Sequence, residues 1–274
     1  MRVKTNVSAI NSRNKLESNI KDLDRANRDL ATGDRITQAA FDPSGLSISE
    51  SMKSKIRSYG QAERNANDSI SLIQTAEGGL TTIQSMAARM KELALQSAND
   101  TLSLEDRARV DTEFQQMKTE VKRVIETSEY NGRKVLDGST GVLEFQVGIH
   151  NNSPGQKLRY DMSKLLRNSD QVSLSGASVR SKLGSQSAIP EINKMLKEVS
   201  GARAALGAIQ ARVQSVVSNI QVSKESTSSA NSQIRDTDVA KAAAAKAISN
   251  IKTDASTASL AQSNVMGSRA TQLI

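Results

Sequence analysis

His150 is the single histidine of this 274-residue chain, and there is no cysteine. General acid–base and nucleophilic catalysis need a base beside a nucleophile and a third group to orient it. His150 stands alone in Gly148-Ile149-His150-Asn151-Asn152; it builds neither a triad nor a histidine-rich metal site and reads as a loop residue. The missing thiols remove disulfides, thiolate metal sites and one common nucleophile. Carboxylates are plentiful, but Glu113 and Glu120 fall at helix-surface positions opposite an apolar stripe, where solvated charge belongs. No Gly-rich phosphate- or dinucleotide-binding signature opens a helix after a strand; Gly78-Gly79 interrupts a helical pattern instead. Asn-x-Ser/Thr triplets begin at Asn6, Asn67, Asn99 and Asn151, a pattern too short and common to carry weight. The expectation is therefore no catalytic residue, no cofactor and no metal.

The bulk composition points away from other binding classes too. A net charge of +8 would suit nucleic acid or an anionic membrane if it were gathered into blocks. Lys and Arg instead alternate with Asp and Glu, so neither nucleic acid nor a small-molecule substrate is expected. No run approaches 18 apolar residues, so no transmembrane helix is expected. Residues 1–15 have no apolar core of the secretory-signal kind, so any export is expected to use another route. With 2% aromatic residues, no Trp and three prolines, the core must be Leu, Ile, Val, Met and Ala packed helix on helix.

Periodicity supplies the elements. From Thr5 to Ala31, Leu16, Ile20, Leu23 and Leu30 form one stripe with Asn27 filling the missing turn, until Gly33 stops the helix. Asp42 then reads as an N-cap with Pro43 at the first helical position. A stripe through Ile56, Ile70, Ile73, Leu80, Ile83, Met90 and Ala94 predicts one very long helix, or two stacked ones broken at Gly78-Gly79. Ser103-Leu104-Glu105-Asp106 resembles a capping box for a third helix carrying Val110, Phe114, Met117, Val121 and Val124 and ended by Asn131-Gly132. Alternation from Val142 to Ile149, with 157–162, reads as a β-hairpin. The Ser- and Gly-rich stretch 169–187 reads as loop, and Pro190 as the first turn of the last long helical tract. That tract carries Ile192, Leu196, Val199, Leu206, Ile209, Val213, Val216 and Ile220, continuing through Ile234. Asp236-Thr237-Asp238 marks a break, and a last helix follows with Ile248, Ile251 and Val265.

A helix of about 50 residues is roughly 75 Å long, whereas a globule of this size has a radius of gyration of about 19 Å. The expected fold is mainly α: an elongated helical rod or coiled-coil bundle with a small β-hairpin region near 141–162. Both chain ends are amphipathic helices that need a partner, because isolated helices are marginal. Paired with each other in a coiled-coil core, they leave apolar surface outside, which predicts self-association.

Seven stretches stand out: Thr5-Asn6-Val7-Ser8-Ala9-Ile10-Asn11; Asn65-Ala66-Asn67-Asp68-Ser69-Ile70-Ser71 with Gln74-Thr75-Ala76-Glu77-Gly78; and Lys91-Glu92-Leu93-Ala94-Leu95-Gln96-Ser97-Ala98-Asn99. Tyr130-Asn131-Gly132-Arg133-Lys134-Val135-Leu136, Phe145-Gln146-Val147-Gly148, Leu206-Gly207-Ala208-Ile209-Gln210 and Leu260-Ala261-Gln262-Ser263-Asn264 complete the set. Together, and in family order, they resemble bacterial flagellin. The resemblance implies a subunit that self-assembles into the bacterial flagellar filament, a homo-oligomer outside the cell, for swimming. It implies an inner filament-core domain of 1–44 with 235–274, and a rod domain of 45–168 with 188–234. The variable outer region is reduced to a short surface loop at 169–187.

Filament-core packing falls to Val7, Ile10, Leu16, Ile20, Leu23 and Leu30, and to Ile234, Val239, Ile248, Ile251, Leu260 and Val265. Rod packing falls to Ile56, Ile70, Ile73, Leu80, Val110, Phe114, Val121, Leu196, Leu206 and Val213. Implied partners are a flagellar export chaperone at the C-terminal segment, hook-junction and cap proteins, and other flagellins, with type III export of an unfolded chain. Arg89, Leu93 and Glu113 match residues through which Toll-like receptor 5 recognises immunostimulatory flagellins, with subunit packing as the alternative role.

The chain departs from the family pattern at Phe41-Asp42-Pro43-Ser44-Gly45, at its basic net charge and at its last residues, Arg269 to Ile274. Two other readings remain open at this level: a hook–filament junction protein of the same superfamily, and a basic helical module for nucleic acid or membrane.

Overall fold

A computed structural model describes residues 5–151, 156–164, 174 and 176–272. The chain is mainly α. Its elements are α1 (Val7–Thr32), α2 (Pro43–Ser97), α3 (Leu104–Thr127), β1 (Glu129–Tyr130), β2 (Arg133–Lys134), β3 (Val142–Gln146), β4 (Lys157–Asp161), α4 (Lys182–Arg235) and α5 (Val239–Gln272). They form two compact units, Met1–Ile56 with Glu225–Ile274, and Arg57–Lys224. The division falls inside α2 and α4, so the first turns of α2 and the last turns of α4 belong with the chain ends.

In the first unit, α1 opens where the Ala9 N–H donates to the side chain of Asn6 at 3.0 Å and closes at Gly33. Gly33 is left-handed at φ 71° and its N–H donates to Asp29 O, a conformation that glycine takes without a Cβ penalty. The N–H of Gly45 donates to Asp42 Oδ1 at 2.8 Å, which caps α2 as the Asp-Pro pair predicts. That N–H is the largest influence holding the Asp42 carboxyl below its ordinary value. A Cβ on Gly45 would collide with the Asp42 carboxylate and Ile36, so the cap and the buried Ile36 both require a glycine there.

The second unit packs α2, α3 and α4 around Ile73, Leu80, Ile83, Met90, Phe114, Val121, Ile192, Met195 and Leu206, all 2% exposed or less. Of the rod stripe, Ile73, Leu80, Phe114, Val121, Leu206 and Val213 are buried and Ile56, Ile70, Val110 and Leu196 half-buried. Strands β3 and β4 pair antiparallel with Leu143 opposite Tyr160 and Phe145 opposite Leu158. Leu143, Leu158 and Val147 face the core while Val142 is exposed, the alternation legible in the sequence.

One open alternative is decided and three local readings change. First, α2 runs unbroken through Gly78-Gly79. Gly79 is there for proximity: a Cβ on it would lie 2.6 Å from Leu136 Cδ1 and 2.9 Å from Ser128 Oγ. Second, α3 ends at Thr127, and Asn131-Gly132 instead forms the two-residue turn between β1 and β2. Both residues have positive φ, 50° and 75°, which a type I′ hairpin turn demands.

Third, Pro190 does not start the last tract; α4 begins at Lys182, capped where the Gly184 N–H donates to Ser181 Oγ at 3.1 Å. The loop reading fails at 182–187 because the serine hydroxyls are satisfied close by. Ser185 Oγ donates to Ser181 O and Val179 O, and Ser187 Oγ to Gly184 O, so composition that suits a loop also suits a helix end. Residues 169–173 and 175 lie outside the described residues. Fourth, the Ser103 cap accepts the Asp106 N–H, but Asp106 Oδ2 accepts the Ser103 hydroxyl at 2.7 Å instead of a backbone N–H.

Candidate assembly surface

Among the described residues no enzymatic constellation forms around His150. His150 is exposed beside Ser58, Gln61, Asn65 and Gln146, which offer amides and a hydroxyl but no nucleophile–base pair. Among the described residues no three His, Cys, Asp or Glu side chains gather as a metal site, and no helix is long and apolar enough to cross a membrane.

What the first unit does build is an antiparallel pair of α1 and α5. Its seam is polar. Asn6 Nδ2 donates to Ser263 O at 2.9 Å, the Ser12 and Ser259 hydroxyls meet at 3.4 Å, and Asn19 Nδ2 donates to Lys252 O at 3.2 Å and Ser256 Oγ at 2.7 Å. Among the described residues of the two helices, only Ala26, Ala242 and Ser249 are buried. Leu16, Leu23, Leu30 and Leu260 are half-buried, as is Ile234 at the end of α4.

The pairing face runs Leu16, Asn19, Leu23, Ala26, Leu30, which corrects the expected stripe: Ile20 is exposed, and Asn19 and Ala26 take the inward places given to Ile20 and Asn27. Period 3.6 admits both phases, and the acceptors Asn19 finds on α5 fix this one. Val7, Ile10, Ile20, Val239, Ile248, Ile251 and Val265 are likewise exposed, from 42% for Ile20 to 68% for Ile251. On these helices the leucines of the seam are only half-buried, beside amides and hydroxyls, and the isoleucines and valines are exposed, so the pair leaves much apolar surface uncovered.

The two connections at one end of the pair are fastened together. Arg35 N–H donates to Arg235 O at 2.7 Å and Thr237 N–H to Gly33 O at 2.8 Å. The Arg235 guanidinium, 15% exposed, reaches Glu50 Oε1 at 2.7 Å, Asp34 Oδ2 at 2.9 Å and Ser49 Oγ at 3.3 Å. Glu50 first and Asp34 second raise its pKa further. Arg25 lies over the Phe41 ring at 4.4 Å and Arg28 at 5.7 Å, so the α1–α2 connection is held to α1 by cation–π contact. Sequence reading missed Arg235 and Asn19; the only signal was seven-residue spacing of Ser12, Asn19 and Ala26.

In the second unit, Arg89 donates to Glu113 Oε1 at 2.9 Å and to Glu92 Oε2 at 3.0 Å, both pairs exposed. Leu93, read with them as one surface constellation, is 1% exposed in the core. One helical turn does bring Leu93 to the flank of Arg89, but that flank is covered by packing, so Leu93 offers no surface.

Residues 3–140 match the bacterial flagellin N-terminal helical region and residues 189–274 the bacterial flagellin C-terminal helical region. A flagellin of Halalkalibacterium halodurans is 37% identical over 274 residues, covering all of both chains. The chain belongs to the bacterial flagellin family. This is a family of structural proteins, not enzymes.

A flagellar filament core protein of Brachyspira hyodysenteriae is 33% identical over 284 residues with full coverage of both chains. The crystal structure of Bacillus cereus flagellin superposes on 57% of this chain and 88% of its own, with TM-score 0.51 and 22% identity. A Vibrio parahaemolyticus protein described as flagellar hook-associated covers 72% of this chain and 100% of its own, with TM-score 0.59 at 11% identity. At those identities the two structures share the fold with this flagellin and nothing finer.

Proposed function

We propose that this chain is a flagellar filament subunit whose copies join through the outward faces of the terminal helix pair. Bacterial flagellins form homo-oligomeric helical filaments, and the filament is extracellular. One observation carries the finer reading: α1 and α5 meet through half-buried leucines, amides, hydroxyls and alanines, while Ile10, Ile20, Ile248 and Ile251 stay exposed. Fully covering one such side chain is worth about 1.5–3 kcal/mol, so each one covered by a neighbouring copy adds to the packing that holds the helices in place. Folding of the ends is then coupled to packing, and the filament transmits torque as propulsion.

The likeness to flagellins further supports type III export as an unfolded chain, an export chaperone at the C-terminal segment, and hook-junction and cap proteins as partners. The surface that would meet Toll-like receptor 5 reduces to the exposed Arg89–Glu113 pair.

Ile251→Asp tests the reading. It places a charge where a neighbour's apolar side chain must sit, so polymerisation is abolished while circular dichroism of the second unit is unchanged; Leu23→Asp tests the seam in the same way. Normal filaments from both variants in negative-stain micrographs refute the placement of the assembly surface.

A further inference from the structure

Asn131-Gly132 is the only Asn-Gly pair in the chain. The side-chain carbon Cγ of an asparagine can close a five-membered ring with the backbone nitrogen of the next residue, and a glycine there puts no Cβ in the way. The structure leaves this pair open to that reaction. Both residues are exposed. The two-residue turn sets Tyr130 opposite Arg133, so the Gly132 nitrogen stays outside the ladder. Among the described residues nothing hydrogen-bonds the Asn131 amide, whereas those of Asn6, Asn19 and Asn65 donate to Ser263 O, Lys252 O and Gln146 O. Most other described asparagines lie inside helices, where the i→i−4 bonds hold the backbone nitrogens. The one Asp-Gly pair, Asp137-Gly138, is restrained too: Asp137 Oδ1 accepts the Ser139 N–H at 2.9 Å and the Ser139 hydroxyl at 2.7 Å.

We infer that Asn131 is a site of spontaneous modification, at which the chain loses ammonia and gains aspartate or isoaspartate. The Gly132 nitrogen gives its proton to solvent and attacks Asn131 Cγ. The new N–Cγ bond closes a succinimide as the Cγ–Nδ2 bond breaks, and Nδ2 leaves as ammonia. Water then opens the ring. Cleavage of the N–Cγ bond leaves aspartate in an ordinary backbone. Cleavage between the nitrogen and the α-carbonyl carbon leaves isoaspartate, whose main chain now runs through Cβ and Cγ. Water is the only co-reactant, and nothing is oxidised or reduced.

The two products differ in consequence. Aspartate, like asparagine, tolerates positive φ, so it keeps the turn and adds a negative charge. Isoaspartate lengthens a loop whose type I′ twist sets the strand register, so Tyr130 no longer lies opposite Arg133. Only Glu129–Lys134 remains as a strand pair. Just beyond it the Val135 N–H donates to Ser128 O at 3.0 Å, and Val135 and Leu136 are 1% exposed. Loosening therefore reaches the place where Ser128 and Leu136 lie against Gly79. An old subunit differs from a new one at this face of the second unit, whether or not it has assembled.

The test incubates the folded full chain in mildly alkaline buffer, which speeds loss of the amide proton, and follows it by peptide mass mapping and by labelling with an isoaspartate-specific methyltransferase. Label is expected first in the peptide holding Asn131, about tenfold or more ahead of peptides from α1, α2, α4 and α5, where a helix must open before the ring can close. Asn131→Gln, which would need a six-membered ring, loses that label. In the aged wild type the amides of Arg133 and Val135 exchange faster than in fresh protein, while the buried helical amides of 57–224 keep their protection. The same chain unfolded in urea is the control. Label at position 131 in urea but none in the folded chain over the same interval means that the hairpin holds Cγ away from Gly132, and overturns the inference. First labelling at another residue overturns it as well, and unchanged exchange in a chain labelled at 131 overturns the loosening of the hairpin.

Discussion

Adjacent glycines in α2 should respond to the same substitution with opposite sign. A Cβ on Gly78 meets nothing within 4 Å, so Gly78→Ala gains only the helix-propensity difference, about 0.8–1 kcal/mol. A Cβ on Gly79 would sit 2.6 Å from Leu136 Cδ1 and 2.9 Å from Ser128 Oγ. Neither neighbour can step aside cheaply: Leu136 is 1% exposed, and the Ser128 hydroxyl donates to Val124 O at 2.6 Å as it closes α3. Overpacking of this kind costs about 1–3 kcal/mol. Set against the same propensity gain, Gly79→Ala should destabilise by about 1 kcal/mol, leaving the two variants about 2 kcal/mol apart. Urea unfolding followed at 222 nm, with the midpoint of the 57–224 transition compared between variants, measures the gap directly. If Gly79→Ala proves as stable as Gly78→Ala, the segment 128–136 does not rest against α2 as described, and the reasoning fails.

Two further expectations concern the chain ends and acid. Arg235→Ala removes the donors to Glu50, Asp34 and Ser49; after allowance for the half-exposed Glu50 carboxylate this costs about 1–3 kcal/mol. The amides of Arg35 and Thr237 should exchange faster while those of 57–224 keep their protection, and unchanged exchange at both would show that the guanidinium fastens nothing. The Asp42 carboxyl is held below its ordinary value of 3.8, chiefly by the Gly45 N–H, and Glu63 below 4.5, first by the Gln221 amide and then by Lys224. Groups with lowered native pKa add stability that is complete above those ordinary values and is lost as pH falls through the lower native ones. The urea midpoint of the wild type should therefore fall between pH 6 and pH 3, and fall less for Asp42→Asn, which keeps the cap but not the charge; equal falls would refute the attribution.

Much was legible in the residues because it is decided locally. The Asp42-Pro43 start of α2, the Gly33 stop of α1, the alternation of Leu143, Phe145 and Val147, and the separate stripes carrying Leu80 in α2, Phe114 in α3 and Leu206 in α4 each follow from rules acting over a turn or two of chain. The helix boundaries near Ser181 and Thr127 were read wrongly for a local reason as well: a serine-rich start suits loop and helix alike, and Asn-Gly ends a helix as readily as it turns a hairpin.

The sequence by itself determined that the chain is helical at both ends and hydrophobically striped, because residue type and period suffice for those conclusions. Tertiary structure alone decided which phase of the α1 stripe faces α5, that Leu93 is buried beside an exposed Arg89, that Gly79 rather than Gly78 has no room for a Cβ, and that Arg235 ties Asp34 to Glu50. Each of these depends on which residues distant in sequence come within a few ångströms of one another. A periodic pattern states that a face exists, but only the partner brought against it states which face is covered.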